Sequence, residues 1–213
     1  MKSLTLISTI HSENGKCNSD ELCEIISDLN PEIVFLEALK DTYSLYEQSN
    51  FENFTVLHSK LEISAIQRYR LTNNSFIYIP VLDDELKSTF DNKYNVVCQN
   101  HEFQLMLNDF NLKAKRLGFG FINSEEATIL QTAMRNFENQ LLGNNRVNTE
   151  AIGDIESYED CMLQNIYSYI QTHDFHNAIF MCGVAHRLSL INKIKEFESK
   201  SNSGLNWNFW TGY

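Results

Sequence analysis

"SLTLISTIHSENG", residues 3–15, decides the fold. Leu4, Leu6, Ile7 and Ile10 fall on both alternating faces of an extended chain, so the stretch reads as a strand over 3–10 that is apolar on both sides. Such strands belong to parallel sheets covered by helices on each face. The run ends in His11, and a polar, glycine-containing loop follows at once. "NGKCNSDELCEIISDLNPE" then supplies a helix. Asn18 or Ser19 caps it, Asp20 and Glu21 suit its positive end, and Leu22, Ile25, Ile26 and Leu29 form its inward stripe. Asn30 and Pro31 stop it. "EIVFLEA", residues 32–38, is a second buried strand. Strand, helix and strand in this order make a parallel, right-handed crossover unit.

The pattern continues outward from that unit. A short helix is expected over 39–48. "SKLEISAIQRYRL", residues 59–71, has helical spacing of Leu61, Ala65, Ile66 and Tyr69, and "SFIYIPVLDD", residues 75–84, is a third strand ending in two aspartates. From about 85 to 172 the pattern is helical. Helices are expected near 96–117, 124–142 and 154–172, with "LGNNRVNTEAIGD", residues 142–154, as a loop. "NAIFMCG", residues 177–183, returns as a strand, "HRLSLINKIKEFES" closes with a helix, and "LNWNFW" is a last strand. The predicted class is α/β: a mainly parallel sheet flanked by helices, with a largely helical insertion before the last core strand. A single domain over 1–213 is expected, with residues 85–172 as a lid-like insertion.

Composition narrows the functions. The 213 residues carry a formal net charge of −11, which disfavours nucleic acid and anionic membranes as partners, because both call for a basic surface. No stretch reaches the ~20 apolar residues that span a bilayer, and the polar residues Ser3, Thr5, Ser8 and Thr9 interrupt the N-terminal run where a signal peptide would be apolar. Cys17, Cys23, Cys98, Cys161 and Cys182 are odd in number and lack CxxC spacing, which suits free thiols in a cytoplasmic protein.

In sheets of this kind ligands bind beyond the carboxyl ends of the strands. His11 stands at the end of the first strand, Glu37 at the end of the second, and His186 just past the fourth, in "AIFMCGVAHR", residues 178–187. A carboxylate beside an imidazole raises its pKa and selects its tautomer, and an imidazole so held takes a proton from water. Two histidines and a glutamate also make a divalent-metal set. The competing reading of each is a strand-end polar residue that caps a helix or bonds a backbone amide. Three such residues at three strand ends have no common structural reason. Gly183 permits a sharp turn or a close approach by a ligand. Glu62 and Arg68 compete with a solvated helix face, and Asp83 and Asp84 with a helix N-cap. His173 and His176, in "HDFH", read as surface, and His58 and His101 have no context. The aromatic residues of "NWNFW" read as packing.

"TIHSENG", "PEIVFLE" and "GVAHR" together resemble the superfamily that joins the TraB/PrgY proteins, the Tiki metalloproteases, the erythromycin esterases and the ChaN haem-binding proteins. Its pattern is two GxxH motifs with a glutamate ending the second strand. His11, Glu37, Gly183 and His186 match, and Ser8 stands where the first motif has glycine. The superfamily's R-[DE]-x-x-M segment corresponds to "YEDCM", residues 158–162, where Glu159 and Met162 match and Tyr158 replaces the arginine. Arg68 or Arg187 would have to supply the lost charge.

The resemblance implies a hydrolase of an ester, lactone or peptide bond, with His11, Glu37 and His186 as catalytic groups. Glu62, Arg68, Tyr158, Glu159, Gly183 and Arg187 are the candidates for contacting a small-molecule or peptide substrate. If the site uses a metal, its ligands are His11, Glu37 and His186 and the ion is Mn²⁺, Co²⁺ or Zn²⁺, with haem the lesser alternative. Two rivals stand beside the enzyme: a non-catalytic module that binds a metal, haem or small ligand at the same rim, and a degenerate regulatory member.

Overall fold

The computed structural model describes residues 2–41, 59–73, 75–86, 88–201 and 203–212. The helix expected over 39–48 lies, past residue 41, outside the described residues, as does His58. Strand β1 is Lys2–Thr9, helix α1 Ser19–Leu29, β2 Ile33–Leu39, α2 Leu61–Thr72 and β3 Ile77–Leu82. Helices α3 (Ser88–Val97), α4 (His101–Leu117), the single turn α5 (Phe119–Ile122), α6 (Glu125–Leu142) and α7 (Arg146–Thr172) follow. The chain returns through β4 (Asn177–Gly183), a 3-10 turn (Val184–His186), α8 (Arg187–Lys200) and β5 (Leu205–Phe209).

The five strands form one parallel sheet in the order β3-β2-β4-β1-β5. Alternating side chains feed two cores. Ile7, Val34, Leu36, Ile179 and Met181 face α1, α2 and the α4–α6 segment, where Leu22, Ile66, Phe110 and Phe119 meet them. Leu4, Leu6, Phe35, Ala178 and Phe180 face α7 and α8, against Met162, Ile166, Leu190 and Ile194. This is the α/β sheet apolar on both faces that the strand patterns predict. The helical insertion therefore divides between the faces, with α4–α6 on one and α7 on the other.

Local chemistry sets the element ends. The Asn18 side chain accepts the Glu21 amide proton and caps α1, and Asn30, at φ 44°, closes it in the left-handed conformation. The loop expected over 142–154 is mostly helix. Gly143, at φ 56°, ends α6, and Asn145 accepts the Asn148 amide proton and starts α7 two residues later. Asn, Thr and Gly are weak helix formers, but buried Asn148 and Ala151 anchor this first stretch, and packing overrides propensity. Asp83 and Asp84 cap no helix. Asp83 takes an ion pair from Lys40 at 2.6 Å and a hydrogen bond from Asn165, joining the ends of β2 and β3 to α7.

Among the described residues no helix is long and apolar enough to cross a membrane. All five cysteines are free thiols.

Candidate functional site

The topology leaves a crevice between β1 and β4. The chain leaves β1 for α1 on one face of the sheet and leaves β4 for α8 on the other. Adjacent strands whose connections part in this way open a ligand crevice at their carboxyl ends. The register fixes what lines it. Thr9 lies opposite Gly183 across the β1–β4 pair, and Leu36 lies opposite Met181 across the β2–β4 pair, so Glu37 comes level with the end of β4. The β2–β3 pairing breaks register between Leu36 and Leu39, the interval that holds Glu37. Irregularities of this kind re-aim a side chain at a strand end.

His11, Glu37 and His186 converge above Gly183. A methyl carbon built on Gly183 would lie 3.4 Å from Glu37 Oε2, 3.6 Å from His11 Nε2 and 3.7 Å from His186 Cδ2. Each imidazole is held from behind by a buried glutamate. His11 Nδ1 lies 3.0 Å from Glu62 Oε1, and the Thr9 hydroxyl donates to the same oxygen at 2.7 Å. His186 Nδ1 lies 2.9 Å from Glu159 Oε1, and the Ser189 hydroxyl donates to Glu159 Oε2 at 2.5 Å. Lys193 stands 3.6 Å from that second oxygen. An ionised carboxylate only accepts, so Nδ1 carries the proton in both rings and Nε2 is the free position on the crevice side.

Glu37 is itself clamped. Its Oε2 accepts the Gly183 amide proton at 2.6 Å and its Oε1 accepts the Tyr158 hydroxyl proton at 3.0 Å. His186 Nε2 lies 3.7 Å from the same Oε1. Burial, together with the nearby Glu37 carboxylate, pushes the Tyr158 phenol far above its ordinary range, so it stays a proton donor. The Tyr158 ring also packs on His186 with centroids 5.6 Å apart. The hydrogen bond to Glu62 raises the His11 pKa above its ordinary value, against the opposing effect of burial. His11 remains the open member: its side chain is 59% exposed, against 12% for His186.

Glu62 and Glu159 thus support the imidazoles from beneath. Glu62 is 5% exposed and Glu159 fully buried, so neither lies on a solvated helix face. Arg68 is directed to α1, where it pairs with Asp20 at 2.7 Å and donates to the Ser19 hydroxyl. Arg187 is buried beneath the rim and donates to Asn123 Oδ1 at 2.9 Å, to the Ser8 hydroxyl at 3.3 Å and to the Trp210 carbonyl at 2.7 Å. Neither arginine takes a place beside Glu37, where the Tyr158 hydroxyl stands. Asn123 also bonds both backbone groups of Ser8 and so locks the end of β1. Its role carries no sequence signal, because it lies in a short turn with no motif around it.

Among the described residues no group of three or more His, Cys, Asp or Glu side chains is already arranged to hold a metal. His173 and His176 are exposed; His176 pairs with Glu32 at 3.1 Å. A cavity of about 140 Å³ opens beside His11, Glu37 and Glu62. A second, of about 230 Å³, lies beyond Tyr158 and is lined by Asp84, Glu85 and Asp154. A larger cavity of about 560 Å³ between α7 and α8 touches neither histidine nor any of the three glutamates, so its size does not make it the reacting centre. No protein-family model, curated protein or solved structure matches this chain.

Proposed function

We propose that this chain is a hydrolase of an ester, lactone or peptide bond, of the TraB/Tiki/erythromycin-esterase type, with its reacting centre above Gly183. One observation carries the reading: two imidazoles, each backed at Nδ1 by a buried glutamate, turn Nε2 toward the Glu37 carboxylate around one small space. In this reading a water molecule in that space gives its proton to Nε2 of a neutral histidine as it attacks the carbonyl carbon. The backing glutamate stabilises the imidazolium that forms. The imidazolium then gives that same proton from Nε2 to the leaving group, which departs as the carbonyl re-forms. His11 suits the base, because it is the more exposed ring and its raised pKa strengthens it. His186, with Nε2 3.7 Å from Glu37 Oε1, is the second imidazole lining the same space. Glu37, held by Tyr158 and the Gly183 amide, orients the water.

The donor set also fits a divalent metal: Nε2 of His11, Nε2 of His186 and the Glu37 carboxylate would hold it, and Glu62 and Glu159 would brace the rings as outer partners do at such centres. When bound, Mn²⁺, Co²⁺ or Zn²⁺ would supply a water of lowered pKa.

The test is a panel of ester, lactone and peptide substrates. On a substrate that is turned over, His11→Ala and His186→Ala should each lower kcat/KM by about 10²- to 10⁴-fold. EDTA treatment followed by desalting should abolish the activity only if a metal takes part. Turnover undiminished in both folded variants overturns the reading and favours a binding module at the same rim.

A further inference from the structure

Beside the catalytic rim, on its β1 side, α6 faces the turn that carries His186. Thr128, Gln131, Thr132 and Arg135 recur at helical spacing on one face of α6, and together with Ala185 and Arg187 they line a cavity of about 50 Å³. The lining holds two arginines and no acidic residue, in a chain whose net charge is −11.

Arg187 is 4% exposed. Its acceptors are the Asn123 amide oxygen, the Ser8 hydroxyl and the Trp210 carbonyl, all uncharged. Those three bonds leave two of the five guanidinium N–H donors unused. The other buried cation among the described residues, Lys93, is matched by Glu138 at 3.0 Å. Arg187 has no such partner. It also opens α8, where the helix dipole is positive and a cation is disfavoured. Helices α1 and α6 carry acidic residues in their first turns; α8 carries none. Both the burial of the charge and the helix field would be relieved by an anion. Arg135, exposed at the cavity mouth, spends one N–H on the Ala185 carbonyl at 2.7 Å and keeps the rest free.

We propose that the cavity between α6 and the start of α8 binds a small tetrahedral oxyanion of the phosphate or sulfate class, held by Arg135, Arg187 and Gln131. The space admits one such ion and excludes a bulky organic group. Because Arg135 already holds the Ala185 carbonyl, a bound anion fastens α6 to the turn beside His186. The inference stands apart from the reaction proposed for the neighbouring rim.

The probe is inorganic phosphate, compared with chloride at equal ionic strength and pH. The unfolding temperature of the wild-type chain should rise by about 3–6 °C at a phosphate concentration ten times Kd. Amide resonances of Thr128, Gln131 and Ala185 should shift along one saturable curve. Arg135→Gln, at an exposed position, should fold normally and lose both responses; Gln131→Leu, measured as a second variant, should weaken them several-fold. A wild-type protein with no saturable response overturns the proposal. So does a response that survives unchanged in Arg135→Gln, because the ion would then be bound elsewhere.

Discussion

Gly183→Ala separates folding from function at the crevice. Gly183 has φ −56° and ψ 139°, a conformation open to any residue, so alanine adds no backbone strain. Its methyl carbon would meet Glu37, His11 and His186 at 3.4, 3.6 and 3.7 Å, all ordinary van der Waals distances. The folded state therefore accepts the methyl, while the unfolded chain loses glycine's freedom. Such replacements stabilise by about 0.4–1 kcal/mol, which for a chain of this size raises Tm by about 1–4 °C. The same methyl sits in the space shared by the three functional groups. A water there would lie about 2.7–3.2 Å from its partners, and a methyl both displaces it and offers no hydrogen bond. Activity on any substrate of the proposed hydrolysis should fall at least about 100-fold, the lower scale for losing a general base. A readout that needs no substrate comes from imidazole titration by NMR. The methyl removes water from His11 Nε2, so the raised His11 pKa should move down. A folded Gly183→Ala protein with full turnover and an unmoved His11 titration would refute the convergence of these groups on one space.

Other substitutions probe the supports. Glu62→Gln removes the main cause of the raised His11 pKa, so that value should fall toward the ordinary imidazole range of about 6.5. The rising limb of a pH–rate profile, where His11 must be neutral, should move to lower pH with it. For stability the sign is opposite: a raised imidazole pKa stabilises the fold below about pH 6.5, and this contribution is lost as pH rises through the folded-state value. Denaturant midpoints for wild type and Glu62→Gln should therefore differ most on the acid side. Glu159→Ala removes a fully buried carboxylate, leaves the partly buried His186 Nδ1 and Ser189 hydroxyl without their acceptor, and should cost about 3 kcal/mol, read as a Tm lower by about 6–12 °C. Tyr158→Phe removes the hydroxyl donor to Glu37 and should lower kcat by about 10-fold with little change in Tm.

Strands were legible because burial on both faces leaves an unbroken apolar run, and β4 lies over the same seven residues the sequence indicates, 177–183. Their polar ends were legible for the same reason: His11, Glu37 and His186 stand out against apolar neighbours. The supports were harder to read. Glu62 sits between Leu61 and Ile63 at the start of a helix buried on nearly every side, so helical periodicity gives no contrast by which to place it. A carboxylate reads as solvated unless its partner is known, and its partner, His11, is 51 residues away. Arg187 shows the limit from the other direction. A cation beside a site motif reads as a contact for substrate, yet its acceptors come from β1, the α5–α6 turn and the segment after β5, a meeting set by tertiary packing alone.

Both neighbours of β1 in the sheet, β4 and β5, come from residues 177–209. Most of the chain thus separates β1 from both of its sheet partners. While β2 and β3 are separated by only residues 40–76, Leu4, Leu6 and Ile7 stay without sheet contacts until residues 177–209 have emerged. Contacts at such sequence separation are slow to close, and unpaired apolar edges invite association between chains. Any fragment that stops before residue 177 leaves β1 a free, sticky edge and has no crevice at all. The crevice above Gly183 therefore exists only once β4 has paired with β1, and its appearance reports that β1 has been captured.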